Sequence, residues 1–361
     1  MNQTSPSFSS RPTAPGAALV GSCRLTADDV VAARERLGGA LRLTPCSRAL
    51  GLLPGGEGTL WLKRDDLQVT GSFKERGARH ALELLDPAGR KAGVVAASPT
   101  APASGLRPAL GLAHHGRELG VPVTLVMATT AARVKVERCR ALGATVVLAG
   151  EDFAAATEVA RQVARESGAR FVHPFDDVSV MAGQGTVALE VLEQVPAVEA
   201  VVVPVGGGGL LAGVVTVIKS LAPWVRVVAV EPELAPSLSA AWEADRPTQV
   251  TVGRTLADGL AVACTGALPF AAVRGRVDAV VTVNEDEIAW AMLRLFETQR
   301  AVVEGAGAAA LAAVLAGRCP ELTGRRTVAL VGGGNVDADT FAAALRRGID
   351  AGGPRLSLPA A

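Results

Sequence analysis

The chain alternates strand-like apolar runs with helix-like segments along most of its 361 residues. Several of the strand-like runs are apolar at every position, as in residues 94–97 and 200–205. Such strands are buried on both faces, which is typical of parallel sheets that helices cover on each side. The length suffices for two domains or for one elaborated domain. We therefore predict an α/β fold with mostly parallel sheets.

The charge and the aromatic content argue against nucleic-acid or membrane partners. The formal net charge is +1, so no broad electrostatic field attracts a polyanion. Aromatic residues make up 3% of the chain and tyrosine is absent, which leaves few side chains to stack on bases. The longest apolar stretches are interrupted by glycine, proline or charge before they reach membrane-spanning length. We expect neither nucleic acid nor a membrane as a partner.

The termini and the cysteines favour a cytoplasmic protein. Residues 1–22 are rich in Ser, Pro, Thr and Ala and lack the apolar segment of a signal peptide, so we expect a disordered tail. We expect a second tail at residues 351–361. The cysteines are odd in number and dispersed, which favours reduced thiols over disulfides or a zinc site. They are Cys23, Cys46, Cys139, Cys264 and Cys319.

Four consecutive glycines, Gly206, Gly207, Gly208 and Gly209, separate a strand-like run from a helix-like segment that starts at Leu210. A glycine loop at a helix N-terminus directs several backbone N–H groups into one concavity, where the helix dipole also favours an anion. The spacing differs from that of a dinucleotide fingerprint, and no Gly-Lys-Ser/Thr follows. We predict a phosphate site here, with a tight turn that binds nothing as the alternative.

A lysine stands where a helix is expected to begin. Ser72 and Glu75 have the spacing of a capping box, which predicts a helix over residues 72–85. Lys74 lies in its first turn, where the helix dipole disfavours a cation. A buried amine there loses its proton more readily and can attack a carbonyl. A phosphate site combined with such a lysine is what pyridoxal 5′-phosphate requires, and we predict this cofactor.

Several motifs, in the same order along the chain, resemble those of one enzyme family. The chain is similar over about residues 24–348 to the threonine/serine dehydratases, which are tryptophan-synthase-β-like (fold type II) pyridoxal phosphate enzymes. The two motifs between residues 173 and 186 are shared with serine racemase. The motifs are residues 62–78 (LKRDDLQVTGSFKERGA), 173–177 (HPFDD), 182–186 (AGQGT), 204–210 (PVGGGGL), 255–259 (TLADG) and 304–307 (EGAG).

The resemblance implies an architecture and a set of cofactor contacts. It implies two three-layer α/β/α domains: a large cofactor domain from residues 23–62 and 155–350, and a small domain inserted at residues 63–154. Lys74 would be the cofactor lysine, with Phe73, the four glycines and Leu210 around the cofactor. No C-terminal regulatory domain is expected, as in the short catabolic type. A homodimer is the default assembly for such folds.

The segment that should bind the substrate departs from the family pattern. The family carries Ser-x-Gly-Asn-His, whose Asn bonds the phenolic oxygen of the cofactor ring and whose N–H groups hold the substrate carboxylate. This chain has a longer Ala/Pro-rich segment, and alignment backward from Gly111 places Arg107 at the Asn position. The resemblance thus implies Ser104, Gly105 and Arg107 as substrate contacts, with Arg107 also at the cofactor. A solvated arginine and an impaired site are the alternatives.

Two further positions differ from the family. Gly332 replaces the Ser, Cys or Thr that bonds the pyridine nitrogen, and the loss of one neutral hydrogen bond costs about 1 kcal/mol. The resemblance therefore implies weaker anchoring of the ring above Gly332, not loss of binding. Relatives often hold a divalent cation through a Glu, a carbonyl and an Asp. Glu231 and Ala235 match, but Ser237 replaces the Asp, so we expect no metal.

The expected reaction is that of a lyase acting on an amino acid, threonine or serine, which loses water and ammonia to give a 2-oxo acid. Lys74 would take the α-proton as general base. Racemisation needs a second base on the opposite face, and our alignment places Gly105 or Pro99 there, neither of which accepts a proton. A catalytically impaired homologue with a binding or regulatory role is the alternative from another class, disfavoured by the intact Lys74, glycine loop and residues 304–307.

Overall fold

The fold is given by a computed structural model that describes residues 25–52, 59–98 and 107–352. The strands are β1 (Cys46–Arg48), β2 (Thr59–Arg64), β3 (Val94–Ser98), β4 (Val123–Met127), β5 (Thr145–Leu148), β6 (Arg170–Phe171), β7 (Ala200–Pro204), β8 (Arg226–Pro232), β9 (Ala279–Val283) and β10 (Arg326–Val331). The helices are α1 (Ala27–Leu37), α2 (Lys74–Glu83), α3 (Pro87–Ala92), α4 (Arg107–Leu119), α5 (Arg133–Ala141), α6 (Phe153–Ser167), α7 (Val178–Gln194), α8 (Gly209–Leu221), α9 (Ser237–Ala244), α10 (Ala267–Val273), α11 (Glu285–Gln299), α12 (Gly305–Leu315) and α13 (Ala338–Asp350).

The larger sheet brings together strands from both ends of the chain. Within the described residues its order is β1-β2-β10-β7-β8-β9, and only the β1–β2 pair is antiparallel. The last strand in sequence, β10, therefore lies between β2 and β7. Since these three strands are parallel, their carboxyl ends meet at one edge of the sheet, where ligands bind in open α/β folds.

The smaller sheet is parallel throughout its described strands, in the order β5-β4-β3-β6. Its last strand, β6, pairs Arg170 with Val94 and Phe171 with Val95. This sheet thus extends past residue 154, where the sequence predicted the inserted domain to end. The predicted domain limits stay a prediction. The smaller sheet itself includes residues up to Phe171, because β6 pairs with the edge of β3 that β4 leaves free.

Alternate residues of the central strands fill two different cores. Val201 and Val203 of β7 belong to one apolar cluster, whereas Ala200 and Val202 belong to a cluster on the opposite face of the sheet. All four are buried. Burial on both faces is the reason why this strand has no polar position in its sequence. The predicted α/β class with mostly parallel sheets is confirmed.

Helices α7 and α8 cover one face of the larger sheet and cross at two glycines. A Cβ on Gly213 of α8 would lie 2.5 Å from the backbone nitrogen of Gly185 and 2.5 Å from the carbonyl oxygen of Met181, both in α7. The helix backbones therefore approach each other more closely than any side chain allows. In the described part of the chain, every helix is too short or too polar to cross a bilayer.

Some predictions fall on residues that the structure does not describe. The tail at residues 1–22, Cys23 and residues 353–361 of the second tail lie outside the described ranges. The helix predicted over residues 72–85 is present as Lys74–Glu83.

Replacement of Gly213 by alanine should destabilise the protein by about 1–3 kcal/mol or more, because backbone atoms of α7 cannot move aside as a flexible side chain would. The measurement is the midpoint of denaturant unfolding. Gly39→Ala is the control, since nothing lies within 4 Å of a Cβ at that position, and it should change stability by less than about 0.5 kcal/mol. Equal effects of the two substitutions would contradict the close crossing.

Candidate active site

Lys74 is the first residue of α2 and lines a cavity bounded by α2, β3, α4 and the segment that runs from residue 172 into α7. Its Nζ lies 4.6 Å from the ring centroid of Phe73. The cavity is lined by Lys74, Ala78, Ala96, Ala97, Leu112, Val172, His173, Pro174, Val180 and Gln184. The lysine is thus at a helix start beside largely apolar walls, which is the environment that the sequence predicted for it.

The capping box predicted for this helix is wrong. Phe73 precedes α2 in helical conformation, and no side chain caps the helix there. Ser72 instead forms a β-bridge with Gly333, and its buried hydroxyl has no hydrogen-bond partner among the described residues. The backbone N–H of Thr70 donates to Glu75 Oε2 at 2.6 Å. The residue that directly precedes α2 is Phe73 and not Ser72, so the Ser72 hydroxyl does not cap the first turn.

The loop that follows β10 fixes the lysine segment. The backbone N–H of Phe73 donates to the carbonyl of Gly332 at 3.0 Å, and that of Gly334 donates to the carbonyl of Gly71, also at 3.0 Å. The side-chain amide of Asn335 donates to the carbonyl of Thr70 at 2.9 Å. Residues 332–335, which are distant in sequence, therefore hold the residues before Lys74 through hydrogen bonds.

A buried ion network holds α2 from its other side. Arg76 pairs with Asp65 (Nε–Oδ2 2.6 Å) and with Glu190 of α7 (Nη1–Oε1 2.6 Å), and Lys63 pairs with Glu190 (Nζ–Oε2 2.5 Å). The four side chains are nearly inaccessible to solvent. Burial opposes ionisation of Asp65, but the Arg76 guanidinium outweighs it and lowers the pKa of that carboxyl below its usual value. Two cations and two anions thus balance in the interior.

At each glycine of the loop after β7, neighbouring atoms fill the space that a side chain would occupy. A Cβ would meet Leu260 at Gly206, the ring of Phe175 at Gly207, Pro269 at Gly208 and the backbone of Phe175 at Gly209. Gly208 also has φ +92°, in the left-handed region. Helix α8 begins at Gly209, so the N–H groups of its first turn have no acceptors within the helix. The loop offers N–H donors at a helix N-terminus, and its predicted role in binding a phosphate stays a prediction.

Gly332 lies between the lysine segment and the glycine loop. A Cβ at this position would be 3.1 Å from Phe73 Cδ1 and 4.0 Å from Pro204 Cγ, at the end of β7. Since β10 separates β2 from β7, the ends of those two strands are about two strand spacings, or about 10 Å, apart. The structure thus brings Lys74, Phe73, Gly332 and Gly206–Gly209 together at one sheet edge.

These residues fit a cofactor that has an aldehyde at one end and a phosphate at the other. The glycine loop supplies N–H donors and a helix N-terminus for the phosphate. The lysine amine lies across the edge of the sheet, at the first residue of α2. Between them, the ring of Phe73 packs against the bare backbone of Gly332.

The predicted substrate loop is only partly placed. Ser104, Gly105 and Pro99 lie outside the described residues. Arg107 is the first residue of α4, and its side chain is likewise not described. Their predicted roles stay predictions.

The remaining glycine motif packs behind the same loop. A Cβ on Gly305 would overlap the carbonyl of Leu256, and one on Gly307 would overlap the carbonyl of Gly333. The backbone N–H of Glu304 donates to the carbonyl of Gly333 at 3.3 Å. Residues 255–259, 304–307 and 332–334, which are far apart in sequence, therefore form one packed unit beside Lys74.

The carboxylate of Glu231 accepts hydrogen bonds from the N-terminus of helix α9. It is buried and accepts hydrogen bonds from the backbone N–H groups of Leu238 (2.6 Å) and Ser239 (2.9 Å), and from the Ser239 hydroxyl (2.8 Å), in the first turn of α9. The hydroxyl of Ser237 lies 3.2 Å from that of Thr265. One carboxylate that already accepts from three donors does not fit a hard divalent cation. Burial raises the pKa of Glu231 to about 7.

A second polar group lies on α4, away from this edge. Ligand atoms of His114, His115 and Glu118 lie within 4.8 Å of one another. The guanidinium of Arg79 is 3.0 Å from Glu118 Oε2 and 3.4 Å from His115 Nδ1. This cation already neutralises the carboxylate and opposes a metal ion.

Two parts of the site were missed by sequence reasoning. His173 lines the cavity that Lys74 also lines, and the ion pairs of Arg76 hold α2, the helix of Lys74. Both lie in motifs that carry the family resemblance, so the signal was present. No single-sequence pattern, however, assigns a contact to either residue.

Comparison with known proteins identifies the family. The model of the family described as "Pyridoxal-phosphate dependent enzyme" matches residues 38–333. The chain belongs to this family. Pyridoxal phosphate is its cofactor, as the sequence predicted.

The relatives include enzymes of amino-acid breakdown. L-threonine ammonia-lyase of Thermotoga maritima is 42% identical over 90% of this chain and 79% of its own length. The structure of the processed form of threonine deaminase isoform 2 from Solanum lycopersicum superposes with a TM-score of 0.82 at 30% identity, covering 95% of this chain and 97% of that chain. Serine racemase from Dictyostelium discoideum has a TM-score of 0.79 at 32% identity, covering 87% and 99% of the two chains. The fold is thus that of the fold type II enzymes, as the resemblance implied.

The stability of the enzyme should depend on pH through Glu231. Because its folded pKa is raised to about 7, the folded state holds a proton that the unfolded chain releases near pH 4.5. This contribution is fully present below pH 4.5 and is lost as the pH rises through 7. Relative to a Glu231→Gln variant, the wild type should lose about 2–3 kcal/mol of unfolding free energy between pH 5 and pH 8.

The measurement is denaturant unfolding of both proteins at pH 5, 6, 7 and 8. Glu233→Gln, at a half-exposed carboxylate two residues along the chain, is the matched control. Parallel pH curves for wild type and Glu231→Gln would show that Glu231 is ionised over the whole range, contrary to this prediction.

Proposed function

We propose that this enzyme is a threonine ammonia-lyase that also accepts serine, eliminating water and ammonia to give a 2-oxo acid. The carrying observation is the convergence of Lys74, Phe73, Gly332 and the cradle of Gly206–Gly209 at one sheet edge. The relatives named threonine ammonia-lyase and threonine deaminase support the choice of substrate.

Each proposed site residue has a separate task. When bound, the cofactor supplies an electron sink that makes the α-proton of an amino acid acidic. Lys74 Nζ would hold the aldehyde group of the cofactor, and its free amine would accept the α-proton of the substrate. Gly206–Gly209 and the N–H of Leu210 bind the phosphate, and Phe73 packs beside the ring.

The substrate contacts proposed from the sequence are Ser104, Gly105 and Arg107. Their backbone N–H groups and the Arg107 guanidinium would bind the carboxylate of the amino acid. Gly332 offers the ring nitrogen only backbone atoms, so the ring is held mainly by its two ends. A dimer, a cytoplasmic location and independence of divalent cations complete the proposal.

Racemisation is the second candidate, because one structural neighbour is a serine racemase. It requires a proton donor on the face opposite Lys74, and alignment offers only Gly105 or Pro99 there. Chiral analysis of serine recovered after partial turnover distinguishes the two reactions. Elimination predicts release of 2-oxo acid without accumulation of D-serine, and accumulation of D-serine would overturn the proposal.

Lys74→Ala should abolish turnover and the visible absorbance of the covalently held cofactor. The measurements are the visible spectrum before and after borohydride, and ammonia release from threonine and serine. Lys91→Ala, at an exposed lysine of α3, is the control and should keep both properties. Full turnover by Lys74→Ala would contradict the assigned role, and a wild type that releases no ammonia would contradict the proposed reaction.

A further inference from the structure

The loop between β6 and α7 presents a histidine to the cavity of Lys74. Three of the lining side chains are polar: Lys74, His173 and Gln184. Gln184 Oε1 accepts the backbone N–H of Gly77 at 3.3 Å, which directs it toward α2. The imidazole of His173 is therefore the polar group on the wall across from the lysine helix.

Backbone hydrogen bonds fix the tautomer of His173. The N–H of Asp176 donates to His173 Nδ1 at 2.9 Å, and the N–H of Phe175 points to the same atom at 3.5 Å. An Nδ1 that accepts a hydrogen bond carries no proton, so the neutral ring bears its proton on Nε2. Burial lowers the pKa of His173, which keeps the ring neutral at physiological pH.

The same contacts hold the ring in one orientation. Its centroid lies 4.6 Å from that of Phe175, edge to face, and Phe175 packs on Gly207 of the phosphate cradle. The carboxylate of Asp176 accepts the N–H of Leu268 at 2.8 Å, and Asp177 caps α7. Because Nδ1 is engaged by this loop, Nε2 on the opposite edge of the ring is the nitrogen left to donate toward the cavity that His173 lines.

We propose that His173 is a substrate-binding residue that donates a hydrogen bond from Nε2 to an oxygen of the amino-acid substrate. This inference rests on the proposed function, which places that substrate beside Lys74. The acceptor is either the carboxylate or the β-hydroxyl, and both are oxygens that a neutral N–H donor suits. A fixed, neutral donor loses no proton to the substrate and needs no reorientation when the substrate binds.

Two substitutions separate this role from a structural one. Asn at position 173 keeps an acceptor near Nδ1 for the Asp176 N–H but removes the Nε2 donor. Gln at the same position reaches toward Nε2 with its amide but leaves the Asp176 N–H without that acceptor. A substrate contact predicts that Gln preserves function better than Asn, whereas a purely structural role predicts the reverse. His114→Asn, on α4, is the control.

The experiment compares kcat/KM for L-threonine and for β-chloro-L-alanine, whose chloride leaves without a hydrogen bond to oxygen, in fully loaded enzymes. We expect His173→Asn to lower kcat/KM for threonine about tenfold while His173→Gln stays within about threefold of wild type. An equal loss for both substrates identifies the carboxylate as the acceptor, and a loss confined to threonine identifies the β-hydroxyl. Unchanged values for His173→Asn, or a larger loss for His173→Gln than for His173→Asn, would overturn the inference.

A second readout does not depend on turnover. Amino-acid binding is followed by the change in visible absorbance of the holoenzyme on titration with L-threonine and with L-alanine, which lacks the hydroxyl. His173→Asn should weaken binding of threonine about tenfold. If the wild type binds threonine but releases no ammonia, the proposed function fails and the order of the two variants in this titration still decides the role of His173. A wild type whose spectrum responds to neither amino acid would overturn the inference as well.

Discussion

The position of β10 between β2 and β7 is the constraint on which the site depends. The strand is last in sequence, yet its parallel pairing with both neighbours sets the distance between the lysine segment and the glycine cradle. The loop that follows it then bonds directly to the residues before Lys74, including a contact from Asn335 to Thr70 across 265 positions. The pairing of β10 with β2 and β7 therefore fixes where the lysine segment lies relative to the glycine loop.

Buried ion pairs hold α2, the helix that begins at Lys74, against α7. Arg76 lies two residues after Lys74 in α2 and meets Asp65 and Glu190 in paired contacts. Removing such charges from water is costly unless every charge is paired, and a shift of α2 that separated Arg76 from Glu190 would leave buried charges unpaired. An apolar interface would allow these helices to shift along each other. A shift of α2 would displace the lysine amine from the sheet edge.

The sequence predicted the fold class and the helix that begins near Lys74 because both rest on local information, whereas the phosphate role of the glycine loop stays a prediction. Continuous apolar runs identify buried parallel strands, and four adjacent glycines identify a close approach of backbone. The capping role of Ser72 was predicted wrongly, because the helix begins at Lys74 and Phe73 holds the cap position. The contacts of His173 and Glu231 could not be predicted, since both depend on which loops the tertiary fold brings together. The pairing of the two-residue strand β6 with β3 likewise depends on the tertiary fold.

Gly332 shows how one lost side chain is accommodated. A hydroxyl-bearing residue at this position could bond a cofactor ring, but in this chain a Cβ there would lie 3.1 Å from the ring of Phe73. The carbonyl of Gly332 meanwhile accepts the N–H of Phe73, so backbone and ring are packed together directly. The missing hydrogen bond, of about 1 kcal/mol, is small beside the covalent link at one end of the cofactor and the charged phosphate at the other. The ring can therefore be positioned by its ends and by the apolar surface of Phe73. The placement of the Phe73 side chain, and of the loop that bonds its backbone, thus matters more here than in a chain with a side-chain partner for the ring nitrogen.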